Sequence, residues 1–160
     1  KPPVGNKNLY KDAGDYIVMI VAGPNARKDY HYNETEELFY QLEGNIEVHI
    51  QEDGKKRTMK LGPGDMYLHP AKVPHSPVRK EGSIGLVIER KRASMNVDDG
   101  LLWFCDNCNH KLYEAYFTLH DIEKDFLAHF KHFYSSKELR TCDNCGTVMP
   151  VDERFIAKEE

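Results

Sequence analysis

The sequence predicts a mainly-β protein, a barrel or sandwich of short strands, with a small C-terminal appendage built around one helix. Three observations predict it. Short runs rich in Val, Ile, Leu and aromatic residues are separated by Gly, Pro, Asn and Asp turns roughly every eight to twelve positions. Several of those runs alternate apolar and polar residues with the period of a strand half-covered by a core. After Arg92 the pattern changes to two Cys-x-x-Cys pairs flanking a segment with helical periodicity. The expected division is therefore a barrel over residues 1–92 and a linker plus cysteine-bearing region over 93–160.

In chain order, KPPVGN reads as an extended entry, because proline fixes its own backbone and biases its predecessor away from helix. Tyr16–Gly23 (YIVMIVAG) reads as a buried strand, broken by Gly23-Pro24-Asn25. In an extended chain Arg27, Asp29 and His31 point the same way. Asn33 and Glu34 form a turn into ELFYQLEG, with Glu37, Phe39 and Gln41 on one face and Leu38, Tyr40 and Leu42 on the other. In NIEVHIQED, Ile46, Val48 and Ile50 alternate with Glu47, His49 and Gln51. Asp53-Gly54 is a hairpin signal, from which KRTMKL pairs back. GPGD turns the chain into MYLHP, and Ser83–Arg90 (SIGLVIER) is the last strong strand. SMNVDDG reads as a linker and LLWF as an apolar anchor. In DIEKDFLAHFKHFYSS, Ile122, Phe126, Phe130 and Phe133 share one helix face that packs on the barrel or on a second subunit. The tail ending in IAKEE is expected to be loose.

Composition narrows the function classes. Of 160 residues 40% are apolar and 30% charged, and the nine Tyr and seven Phe supply bulk for a core. A net charge of -4 leaves no electrostatic footprint for nucleic acid. No run is long enough to span a membrane, and KPPVGNKNLY shows no secretory signal. The cysteines occur only as Cys105/Cys108 and Cys142/Cys145. Paired Cys-x-x-Cys knuckles without a secretory signal favour metal thiolates in a reducing compartment, hence the cytoplasm.

Two constellations carry chemistry. His31, Glu37 and His75 form a set of two imidazoles and one carboxylate on a β scaffold. With open coordination positions such a set suits non-haem iron(II), and manganese or zinc fits the same donors. A lone histidine beside acidic residues is more often a surface residue, so the motif spacing has to decide. The two cysteine pairs can close a tetrahedron around iron or zinc, leaving no position for substrate. Two disulfides or free thiols are the plainer alternatives. His49 and His69 read as structural, and His110, His120, His129 and His132 have no role as ligands.

Spacing supports a metal role. Glu37 and Gly44 make a Glu-x6-Gly pattern; Gly64, Pro70 and His75 make Gly-x5-Pro-x4-His. Together they resemble the two motifs of the cupin family, small double-stranded β-helix barrels. Asn33 stands where many cupins place a second histidine, which implies three protein ligands rather than four. Arg79 replaces a frequent Asn and Lys72 a usual Gly. The runs KPPVGN, GPNARKDYH, EELFYQLEG, VPHSPVR and GLVIER resemble one cupin branch, the 3-hydroxyanthranilate 3,4-dioxygenases. Microbial members of that branch also carry a C-terminal region with two Cys-x-x-Cys pairs that is similar to rubredoxin. The resemblance spans essentially the whole chain. One departure is that the family usually has a helical segment ahead of KPPV, absent from this sequence.

The resemblance implies oxygen-dependent ring opening of 3-hydroxyanthranilate to 2-amino-3-carboxymuconate semialdehyde, the precursor of quinolinate for NAD. It implies Fe(II) on His31, Glu37 and His75, iron or zinc on the four cysteines, and a homodimer. Arg79 shares strand parity with His75, and its planar fork suits the substrate carboxylate. Arg27 shares parity with His31 and faces charge developing on oxygen; a surface cation is its plain alternative. Glu89, at the end of an apolar strand, is implied as a partner of the substrate's chelating groups and a proton acceptor. An ion pair with Arg90 or Lys91 is its alternative. Asn6, on the entry loop, is a further substrate contact. Two other readings predict different observations. A metal-dependent cupin isomerase would work without oxygen, and a non-enzymatic metal- or ligand-binding cupin would bind without consuming it.

Overall fold

The computed structural model describes residues 5–12 and 14–156. Among these residues the strands are β1 (Gly5–Asn8), β2 (Tyr16–Ala22), β3 (Asp29–Tyr32), β4 (Glu37–Glu43), β5 (Ile46–Glu52), β6 (Lys55–Leu61), β7 (Met66–His69), β8 (His75–Arg79), β9 (Ile84–Arg90), β10 (Asp99–Phe104) and β11 (Lys111–Phe117). Helices α1 (Ile122–Ser135) and α2 (Lys137–Arg140) follow. The expected extension over residues 1–4 and the loose end over 157–160 lie outside the described residues.

The strands form a five-stranded sheet ordered β1-β2-β9-β4-β7 and a six-stranded sheet ordered β11-β10-β3-β8-β5-β6. Their inner faces meet in a core of Met19, Val21, Phe39 and Val87 from one sheet and Ile46, Val48, Ile50 and Leu61 from the other. Each fully buried side chain of this size contributes roughly 1.5–3 kcal/mol. The alternation seen in the sequence is the cause: in β5, Ile46, Val48 and Ile50 are buried. Asp53 and Gly54 both take positive φ, 52° and 71°, as the two-residue turn between β5 and β6 requires.

The outer face of the five-stranded sheet is apolar as well. One row of cross-strand neighbours runs Leu68, Leu38, Ile88, Val18 and a second runs Met66, Tyr40, Leu86, Ile20. Met66 is 64% and Leu68 55% exposed. An apolar sheet face of this breadth is unusual on a lone chain.

Three local expectations change. Asn6 lies on a strand, paired with Val21, rather than on a loop. Ser83–Arg90 does not end the sheet system, because β10 and β11 follow. The SMNVDDG linker runs into β10, whose first residue is Asp99. The strand at LLWF gave no period-two signal because five successive residues from Asp99 to Trp103 are buried. β10 pairs with β3, so the six-stranded sheet crosses position 92.

Helix α1 begins where two aspartates cap each other's turn. Asp121 accepts from the Lys124 N–H at 3.1 Å, and Asp125 accepts from the Asp121 N–H at 2.9 Å. Its buried stripe of Phe126, Phe130, Phe133 and Tyr134 packs with Leu101 and Trp103 of β10. The helix thereby covers the barrel end nearest His31, whose ring centroid is 5.1 Å from that of Phe126. No helix among the described residues is long and apolar enough to cross a membrane.

Candidate active site and metal centres

His31, Glu37 and His75 come from β3, β4 and β8, and all three are buried. One donor atom from each lies within 4.8 Å of the others. They converge on one carboxylate oxygen: Glu37 Oε2 is 3.1 Å from His75 Nε2 and 4.0 Å from His31 Nδ1. The far side of His31 is fixed by Asp99, whose Oδ2 lies 2.6 Å from His31 Nε2. That contact assigns the proton to Nε2 and turns the Nδ1 lone pair toward the Glu37 carboxylate. Two electron-rich groups so placed call for a cation between them. The donor set therefore fits a metal ion.

The electrostatics agree. Burial opposes ionisation of Glu37, but the surrounding imidazoles, His75 foremost, hold its carboxyl down to about 2. Burial also works against a charged His31; the hydrogen bond and charge of Asp99, with Glu89 and Glu37, outweigh it and raise its pKa. Asn33, at the place of a second cupin histidine, donates from Nδ2 to Glu37 Oε2 at 3.1 Å and orients the carboxylate.

A cavity of about 390 Å³ opens beside the triad. Asn6, Arg27, Arg79 and Glu89 line it together with all three triad residues. Arg79 is 2% exposed, and its one side-chain hydrogen bond among the described residues runs from Nη1 to Gln41 Oε1 at 3.1 Å. Burial lowers its pKa to about 10, partly offset by the charge of Glu37, so it keeps its charge at neutral pH although no carboxylate among the described residues hydrogen-bonds it. A buried cation so placed is matched by an incoming anion. The Arg27 guanidinium carbon sits 5.0 Å from the centroid of the Phe130 ring, and its Nε is 3.3 Å from Asp29 Oδ1. Burial, and next the charge of Glu37, raise the pKa of Glu89 although Arg92 works the other way. The ion-pair partner of Glu89 is Arg92, at 2.8 Å, rather than Arg90 or Lys91.

Four neighbours of the site escaped the sequence reading. Gln41 was assigned to the face of Glu37 without a role, and it holds Arg79. Asp99 falls in the SMNVDDG stretch that reads as a linker, and Arg92, the last residue of the expected barrel, carries no signal of a role. His69 was read as structural; it sits opposite Glu37 across the β4–β7 pair, with its ring centroid 4.3 Å from that of His75. Its Nε2–H donates to the Val73 carbonyl at 2.7 Å and its Nδ1 accepts from the Tyr67 hydroxyl at 3.1 Å.

Both bonds of His69 suit the neutral ring. Burial, followed by the charge of His75, depresses its pKa to about 4 against an ordinary 6.5. The folded state thus binds fewer protons than the unfolded one between those values, and stability falls as pH drops through that window. In the metal-free protein, His69→Gln, which can keep both hydrogen bonds, is expected to remove about 2 kcal/mol of this loss, allowing for solvent screening. Urea unfolding at pH 4.5 and pH 7 measures the difference.

The second cluster is built by two like knuckles, each reading Cys-Asp-Asn-Cys. The Cys105–Cys145 and Cys108–Cys142 sulfurs are each 3.6 Å apart, and all four sulfurs lie within 4.8 Å. This is too far for disulfides and close to the edge of about 3.8 Å of a tetrahedron with metal–sulfur bonds of about 2.3 Å. Asn109 and Gly146, the residues after each pair, both take positive φ (59° and 74°). The Asn side chains cross over: Asn144 donates to Cys108 Sγ and Asn107 to Cys145 Sγ. Thr147 foremost, then Asn107, lowers the Cys145 thiol to about 5, whereas burial pushes Cys142 up to about 11. Such donors stabilise thiolates, the form that binds a metal.

A family model described as 3-hydroxyanthranilic acid dioxygenase matches residues 1–134. The chain belongs to the 3-hydroxyanthranilic acid dioxygenase family. A relative in Xanthomonas campestris pv. campestris (strain 8004), named 3-hydroxyanthranilate 3,4-dioxygenase, is 55% identical over 159 residues, covering 99% of this chain and 89% of the relative. A relative of the same name in Bacillus thuringiensis (strain Al Hakam) is 45% identical over 153 residues, covering 95% and 84%. Among solved structures, a cupin-2 domain protein from Shewanella frigidimarina is 23% identical, with a TM-score of 0.46 over 54% of this chain and 79% of that one. The dioxygenase-family match includes His31, Glu37, His75 and the first cysteine pair; the second pair lies beyond it.

Proposed function

We propose that the chain is a 3-hydroxyanthranilate 3,4-dioxygenase. It opens the aromatic ring of 3-hydroxyanthranilate with O2 to give 2-amino-3-carboxymuconate semialdehyde, the precursor of quinolinate for NAD biosynthesis. The observation that carries this reading is the family match across residues 1–134, which takes in the buried triad and the cavity residues Asn6, Arg27, Arg79 and Glu89 beside it. The cofactor is Fe(II) on His31, Glu37 and His75, with iron or zinc on the four cysteines. When bound, Fe(II) supplies open positions where substrate and O2 meet and exchange electrons.

The chain's own residues supply the rest. Arg79 receives the substrate carboxylate in its planar fork, within reach of the triad. Glu89, with a pKa raised by burial, takes the proton of the substrate hydroxyl as that oxygen becomes anionic. Arg27, held against Phe130 and Asp29, faces negative charge developing on oxygen. Asn6 hydrogen-bonds the substrate from the cavity wall. Phe39 and Phe126 make that wall partly apolar and keep water from the reacting atoms. Loading the protein with Fe(II) under anaerobic conditions, adding 3-hydroxyanthranilate and then admitting O2 tests the reading. Oxygen uptake matched by semialdehyde absorbance is expected; no turnover with the triad loaded overturns it.

Gly85 sets the position of the carboxylate clamp. A Cβ at this residue would lie 2.8 Å from both Arg79 Nη1 and Gln41 Oε1. Gly85→Ala is expected to displace the guanidinium and raise KM for 3-hydroxyanthranilate about tenfold, near 1.4 kcal/mol, with kcat little changed. Steady-state kinetics separates the two constants.

The working form is a cytoplasmic homodimer, in keeping with reduced, metal-ready cysteines and with the two apolar rows on the outer sheet face. Charging that face with Met66→Glu and Leu68→Glu is expected to weaken self-association about 100-fold, near 2.7 kcal/mol. Sedimentation velocity at micromolar concentration reads the change as a shift from dimer to monomer.

A further inference from the structure

Arg92 and Asp99 belong to neither motif that placed the triad, yet they are 2% and 0% exposed. The Arg92 guanidinium makes contacts on all three nitrogens. Nε donates to Asp99 Oδ1 at 2.8 Å and Nη2 to Asp99 Oδ2 at 2.6 Å, a two-pronged clamp. Nη1 donates to the Arg90 carbonyl at 2.8 Å and lies 2.8 Å from Glu89 Oε2. Asp99 Oδ2 also takes the 2.6 Å contact with His31 Nε2. A buried ion pair gives little net stability over apolar residues of the same volume, so burial alone does not account for it. Its place does. The pair joins β3, which carries His31, to β9, which carries Glu89, through the first residue of β10.

We propose that Asp99 and Arg92 are positioning residues for the reaction. Asp99 accepts the Nε2 proton of His31, which leaves Nδ1 as the only nitrogen of that ring free to bind the metal. Arg92 fixes both Asp99 oxygens and holds Glu89 by the same guanidinium. The orientation of a metal ligand and that of the proposed proton acceptor are thus set by one side chain. A carboxylate behind a ligand histidine fixes its tautomer and raises its basicity. This inference rests on the metal-site reading of His31, Glu37 and His75, and not on which substrate the cavity takes.

The first test uses the unaltered protein, labelled with ¹⁵N-histidine and loaded with Zn(II). His31 is expected to keep a proton on Nε2 and to bind the metal through Nδ1. Binding through Nε2 overturns the proposal. If Zn(II) leaves the His31 and His75 signals unmoved, the metal-site reading fails and takes this inference with it. The second test titrates Co(II) into Asp99→Asn and Arg92→Gln without oxygen or substrate, following the ligand-field spectrum of the His/Glu site. Asp99→Asn is expected to weaken Co(II) binding about 10- to 100-fold, and Arg92→Gln by a smaller factor. A purely structural pair would lower Tm in both variants and leave the Co(II) affinity of the folded protein unchanged, which overturns the proposal. Should a variant not fold, the Zn(II) measurement on the parent decides alone.

Discussion

Replacing Glu37 with Ala is expected to lower ring cleavage by roughly a thousandfold or more, about 4 kcal/mol of transition-state stabilisation. Glu37 supplies the one carboxylate of the triad, and both imidazoles face its Oε2 atom. Without it two neutral rings remain to hold a dication in a buried pocket, where an unneutralised charge is costly. The variant should therefore lose the metal before it loses the fold. Thermal unfolding shows this directly. With the four cysteines already filled by Zn(II), the parent gains further stability from metal at the triad by mass action, about 2.7 kcal/mol at a free concentration one hundred times Kd, and Glu37→Ala should gain none of that second increment. Zn(II) at the four cysteines provides the internal control, because that cluster shares no ligand with the triad. A variant that keeps the metal-dependent rise in Tm, or keeps turnover, removes Glu37 from the ligand set.

Much of this site was legible because strands report on themselves. Glu37, Phe39 and Gln41 were assigned to one face by alternation, and all three are buried. His75 and Arg79 share parity, and both line the cavity. The same local rules failed where the chain is buried on every side. β10 shows no alternation, because tertiary packing against β3, β11 and α1 decides its conformation rather than any half-exposed pattern. Asp99 was lost with it: an acid in a run of Asp and Gly looks solvated until its partner is known, and that partner is 68 residues away in sequence. The contact between α1 and His31 was hidden for a related reason. Periodicity identified the buried face of the helix but not the surface it covers.

Position 72 shows a different limit. Lys72 stands where the cupin motif has Gly, and it adopts φ 66°, the left-handed conformation that glycine reaches without steric cost. The backbone here takes a conformation suited to glycine although the residue is lysine. Its N–H donates to the Asn33 carbonyl at 2.8 Å, tying the second motif to the first beside Glu37. The residue type alone does not reveal that this position turns in the left-handed region.

Arg79 is expected to trade stability for substrate recognition. In the absence of substrate its guanidinium is buried with an amide as its side-chain partner among the described residues, an arrangement that apolar replacements often improve. Arg79→Leu should therefore raise the stability of the metal-free protein by about 1–2 kcal/mol. The same change removes the only buried cation in the cavity that has no carboxylate beside it among the described residues. It should lower kcat/KM for 3-hydroxyanthranilate by about 10²–10³-fold, or about 3–4 kcal/mol, chiefly through KM. Arg79→Lys keeps the charge but not the fork and should fall between the two. 2-Aminophenol, the same ring without its carboxylate, separates a binding role from a structural one. The parent should turn it over poorly, and Arg79→Leu should leave that low rate unchanged or raise it. Specificity for the carboxylate would then collapse while the chemistry on the ring persists. Equal losses on both compounds would place Arg79 in the scaffold and leave the carboxylate to another cation.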